Sequence, residues 1–403
     1  MPSNTVSSAP ATLSPNAVTF QILSTVALTF ICYLIVGLPM AVLPGYVHVD
    51  LGYSSFIAGI AISVQYVATL LTRPQAGRLA DSIGAKRSVL YGLTGCGISG
   101  VFLFLASLAQ SMQGLSLLFL LCSRLALGLG ESLVGTGAIM WGIGRIGSGH
   151  TTRMISWNGI ANYGALAVGA PLGVALEHYF GLLSIGILIV LLALGGFLWA
   201  WVKQAVPAVH GERMGFRQVF SYVMPYGAGL ALGTVGFGII ATFVTLYYAS
   251  HQWSNAALAL SLFGLSFVAA RLLFAQSIHR HGGFRVAIAA FTVETFGLLL
   301  LWWAPGPAVA MLGAAISGLG FSMVFPSLGT EAVCHVAPAN RGAALGTFTV
   351  FLDVALAVVG PLAGLVVGGY GYDAIFLVGA AAALIGVLLT LVLYRNDLRR
   401  NSR

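Results

Sequence analysis

The sequence predicts an all-α membrane protein in which twelve transmembrane helices form two pseudo-symmetric six-helix bundles. Three observations carry that expectation. Only 7% of the 403 residues are charged while 58% are hydrophobic, and the mean hydropathy is +0.95. Soluble proteins carry about 25% charged residues, and no soluble fold of this length covers itself with so few. The apolar runs are long and continuous, without the alternation of a membrane barrel. Backbone in lipid must satisfy its own hydrogen bonds, and a helix does so within one segment. Finally, the chain repeats itself about halfway along.

Residues 1–17 are polar, uncharged and rich in Ser, Pro and Ala, and are expected to form a disordered cytoplasmic tail. They lack the positive n-region of a signal peptide, so the first span is expected to stay as its own membrane signal. Twelve spans follow, at 18–46, 54–77, 87–108, 113–144, 153–177, 181–202, 217–249, 255–278, 284–304, 308–333, 341–368 and 373–394. Each is close to or above the roughly 20 residues that cross a bilayer. Pro39 and Pro44 are expected to loosen the end of the first span, and Pro171 and Pro361 to break spans five and eleven.

Lys and Arg set the orientation. The even-numbered connections hold Arg78, Lys86 and Arg87, then Arg145 and Arg153, then Lys203, Arg213 and Arg217, then Arg280 and Arg285, then Arg341. The C-terminal tail adds Arg395, Arg399, Arg400 and Arg403. The odd connections hold none. Even connections and both termini are therefore expected in the cytoplasm, with the protein in a bacterial inner membrane. Arg73 and Arg271 lie near the cytoplasmic ends of their spans and are expected to snorkel. Arg124 lies too deep for that.

A shift of 198 carries Arg73 onto Arg271, Gly84 onto Gly282 and Arg87 onto Arg285. A shift of 190 carries the segment 169–173, around Pro171, onto 359–363, around Pro361. The expected organisation is a six-helix bundle over 18–202, a cytoplasmic linker over 203–216, a second bundle over 217–395 and a tail over 396–403. Two parallel repeats with a site at mid-membrane between them is a known transporter plan.

The most charged short stretch is Gly77-Arg78-Leu79-Ala80-Asp81-Ser82-Ile83-Gly84-Ala85-Lys86-Arg87. Gly77 and Gly84 are expected to bracket a tight reversal. In the second copy His279 stands where Asp81 stands in the first. The net charge of +8 follows from topology, and no nucleic-acid partner is expected. Cys32, Cys96, Cys122 and Cys334 show neither zinc-ligand nor disulfide spacing. No metal, no cofactor and no Walker motif is expected, and no nucleophile–base constellation points to an enzyme.

The stretch 77–87 resembles the signature between spans two and three of the major facilitator superfamily, with Gly77, Leu79, Ala80, Asp81, Gly84 and Lys86 matching. Ser82 and Ala85 replace basic residues. The span-four pattern of that family appears as Arg124-Leu125-Ala126-Leu127-Gly128-Leu129-Gly130, with Leu127 in place of the usual glutamine. The resemblance covers residues 18–395. Stretches such as Ser156-Trp157-Asn158-Gly159 and Val293-Glu294 resemble the YhhS-type, arabinose-efflux-like bacterial members. The segment around Pro171 loosely resembles an antiporter signature and leans toward export. The resemblance implies a rocking two-bundle transporter for a small solute, and the reading favours export of that solute against protons, by a monomer in the lipid bilayer. Proton-coupled uptake is the alternative, and a non-transporting sensor a more distant one.

Several residues are candidates for that work. Arg124 is a mid-membrane charge that must face a cavity or a partner, and the resemblance implies a role in proton coupling. Glu131 lies seven residues on, nearly on the same helical face but roughly 10 Å along the axis, so the two are not expected to touch. Gly128 and Gly130 between them allow close helix approach. Glu131 and Asp353 are candidate proton carriers. Gln65 and Thr69 on span two, and Asn158, Asn162 and Tyr163 on span five, are candidate cavity groups, since the resemblance places both spans along the cavity. Trp141, Trp157 and Tyr163 are expected to shape the pocket. Glu294 is expected to be structural and bonded to span eight or ten. Glu331 is expected to latch to Arg341 or Arg271. The resemblance implies that the stretch containing Gly77, Asp81, Gly84, Lys86 and Arg87 gates the halves. Asp81 is expected to meet the start of span eleven and a basic residue such as Arg145 or Arg78.

Overall fold

The structure, a computed structural model, describes residues 15–147, 150–206, 216–274, 276–334 and 341–401. Twelve long helices account for nearly all of them, and each is long and apolar enough to cross a membrane. They are α1 Pro15–Met40, α2 Ser55–Ser82, α3 Ala85–Leu108, α4 Gln113–Ile146, α5 Thr151–Phe180 and α6 Leu182–Val202 in the first half. The second half holds α7 Phe216–Ser250, α8 Ala256–Leu273, α9 Gly283–Trp303, α10 Pro307–Cys334, α11 Arg341–Tyr370 and α12 Tyr372–Asn401. Much of the expected linker and most of the N-terminal tail lie outside the described residues.

The helices pair in the same way in both halves. Within the first, α1 packs on α5, α2 on α4, and α3 on both α4 and α6. Within the second, α7 packs on α11, α8 on α10, and α9 on both α10 and α12. Two seams join the halves, α2 against α11 and α5 against α8, and they are equivalents of each other. The repeat extends to backbone geometry: Gly84 and Gly282 both take positive φ, 93° and 82°, just before the third helix of each half. Residues with a Cβ avoid that region, so glycine recurs there.

Two expectations change and one holds. The turn after α2 is shorter than 77–84: α2 runs on to Ser82, Gly77 is an ordinary helical residue, and only Gly84 turns the chain. The alanine, leucine and arginine of this stretch are good helix formers and carry the helix through it. Pro171 and Pro361 do not end their helices, because α5 and α11 continue through them; neighbouring helices and local adjustment tolerate proline in a membrane span. Pro39 and Pro44 do loosen the first span. There α1 stops at Met40, and a short helix at Leu43–Gly45 and a π-helical turn at Tyr46–Asp50 follow.

The halves approach most closely toward the end without basic connections, the bare end. Gly59 on α2 sits against the backbone of Gly360 on α11, and Gly364 packs on Ser55 and Phe56. Ser63 Oγ donates to Leu356 O at 3.1 Å, and the hydroxyls of Ser55 and Tyr372 meet at 3.0 Å. On the other seam, Gly264 of α8 packs on Tyr163 and Ala167 of α5. Glycine at these crossings lets helix backbones touch, which is the main source of attraction between apolar helices in lipid.

Candidate functional site

The two seams carry the polar groups buried deepest between the halves. On the α2–α11 seam, Arg73 does not snorkel. Its Nε donates to Asp353 Oδ2, and its Nη2 donates to Asp353 Oδ1 at 2.9 Å. The Asp353 side chain is 2% exposed and that of Arg73 22%. The packing of α2 on α11 sets a counter-charge across the seam, nearer than water at the helix end. The planar guanidinium fork matches a carboxylate in the two-pronged way seen here. One half of the molecule thus holds the other by an ion pair.

Glu131 and Arg124 lie on α4, within the first half. Gln65 Nε2 donates to Glu131 Oε2 at 2.6 Å, and the Tyr33 hydroxyl adjoins the same carboxylate. Thr69 Oγ1 donates to the carbonyls of Gln65 and Gly128 at 3.0 and 3.1 Å. Gln65 Nε2 is thus engaged with Glu131 and the Thr69 hydroxyl with the α2–α4 crossing, while Gln65 Oε1 is buried without a partner. Gly128 creates that crossing by lying on the Gln65 carbonyl. Arg124 is 1% exposed, and none of its three guanidinium nitrogens has a hydrogen-bond partner. It and Glu131 do not pair, in keeping with their seven-residue spacing.

The α5–α8 seam brings together Tyr163 and Arg271. The Tyr163 ring stacks on Phe267 with centroids 3.7 Å apart, and the Arg271 guanidinium lies 5.1 Å from the same Phe267 ring. Arg271 is 8% exposed, and its Nε has no partner. It too stays buried rather than snorkelling. The Oδ1 atoms of Asn158 and Asn162 are also buried and unpartnered.

The remaining candidates lie apart from the seams or on their rims. Lys86 Nζ donates to the carbonyls of Trp201 and Lys203, both at 2.6 Å, and so caps α6. Arg87 is exposed and Asp81 half-buried at the end of α2. Trp141 does not shape a pocket; it is fully buried and donates to Gln204 O at 3.1 Å. Glu294 is 1% exposed, and both its oxygens lack a partner. It faces Gly233 and Gly236 of α7 instead of bonding to α8 or α10. Glu331 packs on Gly283 at the start of α9; the Arg341 side chain lies outside the described residues. Cys32 and Cys96, distant in sequence, place their sulfurs 3.9 Å apart as free thiols.

Sequence reasoning missed Arg73 and Arg271 as members of the site. The signal for their kinship was there, since they are the same position in the two copies and both lie within apolar runs.

The comparisons agree with this architecture. The profile of the Major Facilitator Superfamily matches residues 25–331 and 254–403. An uncharacterized MFS-type transporter of Burkholderia pseudomallei strain 1106a is 56% identical over 399 residues, covering 99% of this chain and 98% of the relative. Another, from Pseudomonas aeruginosa strain UCBPP-PA14, is 56% identical over 382 residues, covering 95% of each. Among solved structures, the human organic anion transporter MFSD10 (TETRAN) superposes with a TM-score of 0.72 at 18% identity, over 94% of this chain and all of that one. The nucleoside transporter NupG does so with a TM-score of 0.68 at 17% identity, over 93% of this chain and all of that one. At such identities the last two speak for the fold alone. The chain is a transporter rather than an enzyme, embedded in a membrane by many spans, and it belongs to the Major Facilitator Superfamily.

Proposed function

We propose that this protein exports a small organic solute in exchange for protons, working as a monomer in a bacterial inner membrane with both termini in the cytoplasm. The single observation that carries the reading is the Arg73–Asp353 pair between the halves. A proton on Asp353 removes the charge that holds Arg73, so protonation and opening of the α2–α11 seam become one event. Glu131, held by Gln65 within the first half, is a second acid for the same cycle, and Arg124, about two turns away on α4, is a buried charge in the same half. The Lys and Arg of the even connections support a cytoplasmic location for that end. The close glycine crossings at the bare end then make this a state shut toward the outside. The driving force is roughly 2.3 kcal/mol per charge per 100 mV, with the pH gradient added.

Everted membrane vesicles test the exchange. With an acid interior and a pH-sensitive dye, an exported solute should discharge the gradient on addition, and Asp353→Asn should abolish the response. Solute addition that instead deepens the gradient would convert the reading to uptake.

A further inference from the structure

The two seams are copies of each other, but only one is electrically complete. The offset of 198 carries Arg73 onto Arg271, and the offset of 190 that carries Pro171 onto Pro361 also carries Tyr163 onto Asp353. On the α2–α11 seam the arginine has its carboxylate. On the α5–α8 seam the arginine is present and the carboxylate position holds Tyr163. The contacts bear out the correspondence. Arg271 reaches across to α5, where a Cβ on Gly159 would stand 3.7 Å from its Cζ and Nη1. Tyr163, one turn further along α5, stacks on Phe267 beneath that guanidinium.

Arg271 forms no ion pair among the described residues, and its Nε is buried without a hydrogen bond. An unpaired charge within a membrane span is costly and by default marks a functional site. A guanidinium is shaped for a carboxylate, which it binds through two parallel bonds. The surroundings describe the rest of such a ligand. Phe237, Phe263 and Phe321 surround Tyr163 and Phe267 in one aromatic cluster. The buried amide oxygens of Asn158 and Asn162 lie on the same helix. One cation beside aromatic rings fits a monoanion with a flat apolar body.

We propose that Arg271 binds the carboxylate of an aromatic organic acid, and that this ligand supplies on the α5–α8 seam the charge that Asp353 supplies on the α2–α11 seam. The loaded protein then has both seams tied, and the empty one has a single tie. Arg124, the other buried arginine without a hydrogen bond among the described residues, lies within one half, where a ligand would tie nothing across. The proposal deepens the transport reading above and rests on it for the movement, though the site itself can be tested without movement.

The test is thermal unfolding of the purified full chain in detergent, with benzoate, phenylacetate and indole acetate as probes and benzamide and benzylamine as controls. At least one acid should raise the midpoint of the parent, and the amide and the amine should not. Arg271→Gln should weaken that acid roughly tenfold or more, the loss of a charge-assisted pair. Tyr163→Asp should raise the midpoint without ligand and block the acid, and Arg271→Gln in the same chain should remove that gain. If no acid shifts the parent, if the controls shift it equally, or if Arg271→Gln binds the acid as the parent does, the proposal is overturned. Proteoliposomes separate the two readings. An acid that binds at Arg271 yet moves no protons removes the exchange and leaves the site; proton-driven export of benzylamine by Arg271→Gln removes the site and leaves the exchange.

Discussion

Arg73 on α2 and Asp353 on α11, 280 positions apart, form a two-pronged ion pair that spans the boundary between the two halves. Breaking a buried pair from one side leaves the other charge uncompensated, at about 3–5 kcal/mol, while removing both charges is far cheaper. Asp353→Asn and Arg73→Gln should each destabilise the detergent-solubilised protein by amounts near the low end of that range, since Arg73 is partly exposed. The double variant should recover most of the loss. Additive losses in a double-mutant cycle would show that the two side chains act independently.

Glu131 depends on Gln65. Thr69 is 3.5 Å from the same carboxylate oxygen, too long to replace a bond of 2.6 Å. Gln65→Leu should cost about 1–3 kcal/mol, the penalty of leaving a buried acceptor unsatisfied. Adding Glu131→Gln should return part of it. Denaturant titration measures both.

The glycine crossing at the bare end should decide whether the seam can close. A Cβ on Gly59 would run into the carbonyl of Gly360, and neither is a flexible side chain that can move aside. Gly59→Val should hold the bare end apart. In a Cys334→Ser background, the probe position Ser63→Cys, 3% exposed in the closed seam, should then react at least several-fold faster with a membrane-impermeant thiol reagent from outside. Equal rates with and without Gly59→Val would show that the crossing is not the closure point.

Lys203, just beyond α6, should give the protein an alkaline pH dependence. Burial, with repulsion from Arg145 added, pushes its pKa down to about 8, and its Nζ donates to Ser24 O. Between about 8 and the ordinary lysine value near 10.4 the unfolded chain binds more protons than the folded one. Stability should therefore rise with pH across that window and fall back as pH drops through about 8. The group is partly solvated, so the effect is modest. Lys203→Met should flatten the melting midpoint between pH 8 and pH 10, where the parent's should climb.

The legible part of the site was the inventory. Arg124, Glu131, Asp353 and the polar face of span five stood out because charge in an apolar run is rare. The partnership of Asp353 was not legible, because Arg73 read on its own looked close enough to the helix end to reach water. Nor was it legible that Gln65 reaches Glu131 and that Thr69 reaches the Gly128 carbonyl. Side chains at helical spacing on α2 share a face, but which neighbour that face meets depends on how α4 crosses it. Gly77 misled for a local reason: glycine permits a turn without requiring one, and the residues after it favour helix.

Composition and the placement of Lys and Arg determined by themselves that the chain is a bundle of twelve spans with one basic end, because lipid admits few backbones and few charges. The internal offsets determined that the two halves are copies. Only the packing of those halves decided which arginine has a carboxylate across its seam and which faces a tyrosine. That outcome hangs on contacts between helices far apart in the chain, at distances of a few ångström, and no local pattern encodes it.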